Sequence, residues 1–278
     1  MTVDLHTHST ASDGALSPAA LLARAQGNGV RMLALTDHDS VEGVRELAVQ
    51  FGDAPGLRLV PGVEISTVIG AQGVHVVGLW VDIEAPMLTS LLAGQRSLRE
   101  ARGQAIGERL ARAGIAGAFE GATALAGDAV LSRPHFARYL VAQGHCSGEQ
   151  QAFKRWLGRG KPADVRCAWP GVDAVVAAIH AASGVAVLAH PLKYQLTRRR
   201  LVALLAEFRA AGGDALELVS GAQAPGTIAD LWKLAVQHQL ACSTGSDFHS
   251  PLQTWCDLGC QTVLPDAVPC IWQQYGLQ

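Results

Sequence analysis

Two histidines spaced by one residue, His6 and His8, sit in the stretch VDLHTHSTASDG, and a carboxylate, Asp13, follows five residues later. In an extended strand residues i and i+2 point to the same face, so such a pair can present two imidazoles to one ligand. One HxH alone is a weak signal, because a single histidine is more often a satisfied core or capping group. This chain repeats the pattern. LTDHDS carries His38 between Asp37 and Asp39, PGVEIS carries Glu64, GVHVVG carries His75, VLAHPL carries His190, and GSDFHS carries Asp247 and His249 at i and i+2. Separate bland explanations for six histidines at strand ends are less economical than one shared site. Imidazole and carboxylate without thiolate suit manganese, zinc or iron rather than a structural zinc–cysteine knot.

Nine donors (His6, His8, Asp13, His38, Glu64, His75, His190, Asp247 and His249) are too many for one ion and enough for two or three. With Asp13, Glu64 and Asp247 ionised and three divalent ions bound, the formal charge is about +3. Such a centre attracts a phosphoryl dianion, stabilises the charge of in-line displacement and acidifies a bound water into the nucleophile. No GxSxG or Cys–His signature offers a protein nucleophile, and no P-loop or GxGxxG follows a strand.

The elements that must position these donors are short strands alternating with helices. The expected strands are 3–6, 31–36, 57–66, 74–81, 185–190, 215–220 and 241–246. Between the first two, Ser17 is an N-cap, Pro18 the first helical residue and Gly29 a terminator. Several strands are continuous apolar runs, as when both sheet faces are covered. Seven such strands fit a parallel barrel, whose strand ends converge on one functional face, and also an open doubly wound sheet. The alternation stops between about Pro86 and Asp164, where the chain reads as consecutive helices. Residues 96–161 hold eleven Lys/Arg and five Asp/Glu, whereas the rest hold eleven and nineteen. A basic helical cap (96–164) on an acidic body (1–95 and 165–278) is therefore expected.

The 278 residues, 49% hydrophobic and 17% charged, allow one sizeable core and argue against disorder. A formal charge of −2 does not suit a duplex-DNA binder. No apolar run reaches the roughly 18 residues of a membrane span. The opening MTVDLHTHS lacks a signal-peptide pattern, and six scattered cysteines without CxxC resemble thiols of a reducing compartment, so a cytoplasmic location is expected. No obligate protein partner is inferred. His145, His180 and His238 lack partners in the sequence and read as ordinary, and Trp156, Trp232 and Trp255 read as packing before base stacking.

Taken in order, HTH, SDG, TDHD, GVEIS, VHVVG, AHP and SDFH resemble the polymerase and histidinol phosphatase (PHP) phosphoesterase family of the amidohydrolase-like superfamily. The resemblance covers the chain outside the insertion and fills all nine ligand positions. It implies a distorted seven-stranded β/α barrel and two or three divalent ions, most often manganese, with zinc or iron as alternatives. By that resemblance His6, His8, Glu64 and Asp247 hold one ion. Glu64 bridges to a second, held by His75 and His190, and Asp13, His38 and His249 hold the third. Asp13 and His249 are also proton-relay candidates beside the metal-bound hydroxide. The insertion, with LREARGQ and LSRPHFARYLVAQG, resembles the branch that dephosphorylates nucleotide 3′,5′-bisphosphates or trims short RNA from its 5′ end.

Arg99 and Arg102, three apart on one helical face, and Arg133 and His135, at a helix start, are expected to bind substrate phosphate together with Lys193. For Arg96, Arg109, Arg112, Arg155 and Arg159 a surface role is the better reading. The expected reaction removes the 3′-phosphate of a nucleotide 3′,5′-bisphosphate such as 3′-phosphoadenosine 5′-phosphate. The alternatives are a 5′→3′ exoribonuclease on short oligonucleotides, a histidinol phosphatase and a non-catalytic metal-binding module.

Overall fold

The computed structural model describes residues 2–51, 56–252 and 256–274, so Trp255 lies outside the described residues. Seven strands form one sheet in chain order: β1 Val3–Asp4, β2 Met32–Leu35, β3 Arg58–Ile69, β4 Gln72–Leu79, β5 Val185–Leu188, β6 Ala215–Ser220 and β7 Ala241–Gly245. The sheet nearly closes on itself. Beyond β1, the Leu5 amide donates to the Thr244 carbonyl at 3.1 Å, His8 N donates to Phe248 O at 2.9 Å, and Asp247 N donates to His6 O at 2.8 Å.

The barrel is not all parallel, which corrects the expectation of seven parallel strands. β3 and β4 form a long hairpin running from the Gly62–Leu79 pair to the Ile69–Gln72 pair, and β4 is also antiparallel to β5. Only Gly70 and Ala71 separate the two strands, far fewer than the dozen or more residues a parallel crossover needs. The reversal preserves the site. His75 lies near the start of β4, and in a reversed strand that end sits beside the C-terminal ends of its neighbours.

Alternation along the strands builds the core. Val3, Leu5, Met32, Ala34, Val60, Val77, Leu79, Val187 and Ala215 pack together on the inner face. Glu64, His75 and Glu217 have the same parity as Val60, Val77 and Ala215, so they continue these inward rows towards the functional end. On the outer face, Leu33 and Leu35 pack on α1 (Pro18–Gly27) and α2 (Glu42–Phe51). Ser17 caps α1 as expected, accepting from Ala20 N, and Gly29 takes a φ of +73° just beyond the helix.

The chain between β4 and β5 is helical: α3 Pro86–Arg112, α4 Ala118–Ala126, α5 Arg133–Ala142, α6 Glu149–Ala152, a single π-helical turn Phe153–Leu157, and α7 Val172–Ala181. Ile106, Leu110, Phe136, Leu140 and Leu157 form a separate small core. The expected boundary at residue 96 falls inside α3. Leu88 and Leu92 of that helix pack into the main core while Ile106 and Leu110 pack in the cap, so α3 is a strut shared by both. A 3-10 turn, Pro191–Tyr194, follows β5. α8 (Arg198–Ala210), α9 (Pro225–Gln237) and the short α10 (Ile271–Gln274) complete the chain.

Candidate metal centre

All nine expected donors meet at one end of the barrel, with Glu64 at their centre. Its Oε1 lies 3.3 Å from His6 Nε2, 2.9 Å from His75 Nδ1 and 2.8 Å from His190 Nε2. Its Oε2 lies 3.3 Å from His8 Nε2 and 2.8 Å from His38 Nδ1. Asp247 Oδ1 is 3.6 Å from His6 Nε2 and 3.3 Å from His8 Nε2, and Asp13 is 3.8 Å from His38 and 3.5 Å from His249. Donor atoms within 4.8 Å of one another fall into four overlapping groups: His8–Asp13–His38–His249, His6–His190–Asp247, His6–His8–Glu64 and His38–Glu64–His75. The grouping Asp13–His38–His249 matches the expected third set, with His8 added. Of the others, His6–His8–Glu64 falls within the expected first set, His6–His190–Asp247 mixes the first and second, and His38–Glu64–His75 mixes the second and third.

These residues fit divalent cations. Among the described residues, both nitrogens of His8 and His190 Nδ1 are buried without a hydrogen bond, and His6 Nε2 meets only carboxylate oxygens 3.3 Å or more away. Leaving so many polar atoms unsatisfied costs free energy unless a ligand takes them up. Burial dominates the titration of His8, His75, His190 and His249. It pushes His75 and His249 down to about 4 and His8 well below its usual value. For His6 burial also acts downward, but Glu217 and Glu64 outweigh it and raise the group to about 10. The Asp13 and Glu64 carboxyls are opposed by burial, yet the surrounding imidazoles hold both below the carboxylate range.

Several residues outside the expected set fix this geometry. Glu217 accepts from His6 Nδ1 at 3.0 Å and from the His190 backbone amide at 2.6 Å, which leaves the His6 Nε2 lone pair facing the cluster. Asp37 accepts from Ser9 N, Ser9 Oγ and Ser12 Oγ at 2.8, 2.7 and 2.6 Å, holding the loop that presents Asp13. Arg138 donates to the Asp13 carbonyl. Asp4 accepts from Ser246 N and Gly259 N at 2.8 and 2.9 Å and anchors the segment before Asp247. Tyr194 links the His75 amide to the Ala189 carbonyl. Gly245 is required beside the cluster, since a Cβ there would lie 2.3 Å from His6 Cβ. Asp39, His190 and Asp247 hold positive φ angles of 48°, 27° and 52°, and such strain concentrates where surrounding contacts over-determine a site.

The expected phosphate-binding residues divide. Arg99, Arg102 and Arg133 line a cleft of about 230 Å³ with Asp13, His38 and His75. Arg99 is buried and fixed by Asp39 Oδ2 at 2.6 Å and Ser66 Oγ at 3.0 Å. Trp169, which the sequence reading passed over, lies 5.4 Å from the Arg99 guanidinium and 5.8 Å from that of Arg102. Arg133 packs over Phe153 at 5.8 Å. His135 instead closes the start of α5: its Nδ1 accepts from Ser132 N at 3.1 Å, and its ring meets the Ser12 backbone. Lys193 contacts Asp247 on the far side of the cluster. Arg96, Arg109 and Arg112 bond to cap groups and Arg155 stacks on Trp156, as surface roles require. Trp156 and Trp232 pack against the cores.

A seven-stranded, nearly closed barrel with a histidine–carboxylate cluster at the strand ends defines an amidohydrolase-like protein. Residues 4–156 match the PHP domain, and the chain belongs to the PHP family. It is 44% identical over 272 residues to a 5′-3′ exoribonuclease of Haemophilus influenzae, covering 98% of each chain. It is 38% identical to a 3′,5′-nucleoside bisphosphate phosphatase of Chromobacterium violaceum, covering 98% of this chain and 95% of that one. An amidohydrolase structure from Chromobacterium violaceum, with bound sulfate and no metal, superposes with a TM-score of 0.91 at 37% identity, covering 99% and 95% of the two chains.

Proposed function

We propose that this protein is a divalent-metal-dependent phosphoesterase that hydrolyses the 3′-phosphate ester of a nucleotide carrying a 5′-phosphate. The observation that carries the reading is the cleft that puts Arg99, Arg102 and Arg133 beside Asp13, His38 and His75. Three guanidiniums next to a donor cluster suit a substrate with one phosphate at the reacting centre and another held apart from it. A nucleotide 3′,5′-bisphosphate such as 3′-phosphoadenosine 5′-phosphate then yields the 5′-monophosphate. Short 5′-phosphorylated RNA has the same 3′-O–P bond at its first nucleotide, which is why relatives named for either activity are compatible with one site.

The nine donors would hold two or three divalent cations, manganese or else zinc or iron, which when bound would neutralise phosphoryl oxygens and acidify a water. Arg99, fixed in place by Asp39 and Ser66, and Arg102 beside it on Trp169 orient the second phosphate without reorganising. Asp13 and His249 are assigned the proton relay. The His249 Nδ1–H donates to the Asp247 carbonyl at 2.9 Å, leaving Nε2 3.5 Å from Asp13 Oδ1. Histidinol phosphate fits poorly, because the arginine cleft repels a cationic amino alcohol. The helical insertion acts as a cap that supplies Arg99, Arg102 and Arg133 to a barrel-borne centre.

The test is a comparison of kcat/KM for manganese-loaded protein on 3′-phosphoadenosine 5′-phosphate, a 5′-phosphorylated trinucleotide, adenosine 5′-monophosphate and histidinol phosphate. Each of the first two should exceed each of the last two by about 100-fold or more. Equal rates on all four, or a preference for histidinol phosphate, would refute the reading.

A further inference from the structure

The ladder between β4 and β5 opens at its functional end. Its antiparallel pairs run from Leu79–Val185 to Val76–Leu188, which makes His75 and Ala189 the next opposed residues. In a hydrogen-bonded antiparallel pair each residue donates its N–H to the other's carbonyl. Here one of those two bonds is direct, from Ala189 N to His75 O at 3.1 Å. The return bond is replaced by a phenol. His75 N donates to Tyr194 Oη at 2.9 Å, and that hydroxyl donates to the Ala189 carbonyl at 2.9 Å. An amide and a carbonyl that a single hydrogen bond of about 2.9 Å would join are held apart by two in series.

We infer that Tyr194 is a positioning residue whose hydroxyl is a wedge in the sheet, setting the spread of the donors His75 and His190 around Glu64. This rests on the metal-dependent reading above and names a residue that builds its centre. Both histidines flank the wedge. His75 is the splayed residue of β4, and His190 follows Ala189 directly. Their rings stand edge to face with centroids 5.3 Å apart. They address one carboxylate oxygen, with His75 Nδ1 at 2.9 Å and His190 Nε2 at 2.8 Å from Glu64 Oε1. Closing the ladder would draw His75 towards β5. His190 would move less, because its own amide is fixed on Glu217 at 2.6 Å.

The residues after β5 make the wedge possible. His190 takes a φ of 27°, so the chain leaves the strand abruptly, and Pro191 starts the 3-10 turn. The Lys193 amide donates to the His190 carbonyl at 2.9 Å and closes that turn. Tyr194 is thereby swung back until its hydroxyl reaches Ala189, five residues upstream. Its ring also meets that of His190 at 70°, with 5.4 Å between centroids. One side chain therefore holds both donors, His75 through its backbone and His190 through its ring.

Tyr194→Phe removes the wedge and keeps the ring. In a calorimetric titration of chelator-treated protein with manganese, His75→Ala identifies the ion that His75 serves. Tyr194→Phe should weaken that same ion by about 10–100-fold. Tyr194→Phe added to His75→Ala should change manganese binding by less than about twofold further, because the hydroxyl acts through the placing of His75. A residue that only supports the fold would weaken every ion alike, or add its full effect to that of His75→Ala. Either result would overturn the inference, as would unchanged manganese binding in Tyr194→Phe or loss of its fold by circular dichroism. A wild-type protein that takes up no manganese in the same titration would instead bring down the metal-dependent reading and this inference with it.

Discussion

Glu217→Gln tests whether the carboxylate behind His6 is needed to present that imidazole. Glu217 receives two N–H donors, His6 Nδ1 at 3.0 Å and the His190 amide at 2.6 Å. A glutamine of the same shape has one acceptor oxygen, so one donor must face its NH2 group. Hydrogen bonds to charged acceptors contribute about 1.5–3 kcal/mol each, and losing a ligand's outer partner typically weakens metal binding about 10–100-fold. That factor corresponds to about 1.4–2.7 kcal/mol. We therefore expect the manganese Kd of chelator-treated Glu217→Gln, measured by calorimetric titration, to rise by about 10–100-fold. Circular dichroism should report an intact fold. A folded variant whose manganese affinity stays within about twofold of wild type would refute the orienting role.

Removing divalent metal with a chelator should abolish hydrolysis while leaving the circular dichroism spectrum intact, and manganese should restore the rate. Asp13→Ala should lose about one equivalent of bound manganese by elemental analysis and lower kcat by about 100-fold or more. Arg133→Ala should raise KM for 3′-phosphoadenosine 5′-phosphate by about 10–100-fold and change kcat little, since a charge-assisted contact is removed. An unchanged KM would take Arg133 out of the substrate site. Phe136→Ala, in the core of the cap, should cost about 3–5 kcal/mol in urea unfolding because the ring is almost fully buried.

The sequence exposes the donors and the strands because both follow short-range rules. Apolar runs bounded by turns mark strands, and β6 falls on the expected residues 215–220. The direction of β4 was also encoded, since Gly70 and Ala71 leave no room for a crossover, but reading every strand as a barrel unit hid that hairpin. Glu217 left a signal as well: a lone carboxylate in the buried run ALELVS needs a partner. The partner was not legible, because 211 residues separate Glu217 from His6. His135 shows the converse limit. A histidine after Arg-Pro at a helix start suggests anion binding, but only the three-dimensional contacts reveal that its Nδ1 is used by Ser132. Trp169 was missed for the same reason, since its value depends on Arg99 and Arg102 arriving from α3.

The closure of the first strand onto the last has a temporal consequence. His6 and His8 leave a ribosome well before their backbone partners, Asp247 and Phe248. At about 5–20 residues per second, roughly 12–50 s of synthesis separate the two ends of the site. A nascent chain thus carries the helical cap and most of the barrel before it carries the whole donor cluster. The donor set therefore closes only after the segment carrying Asp247 and Phe248 has been made and has folded back onto the first strand.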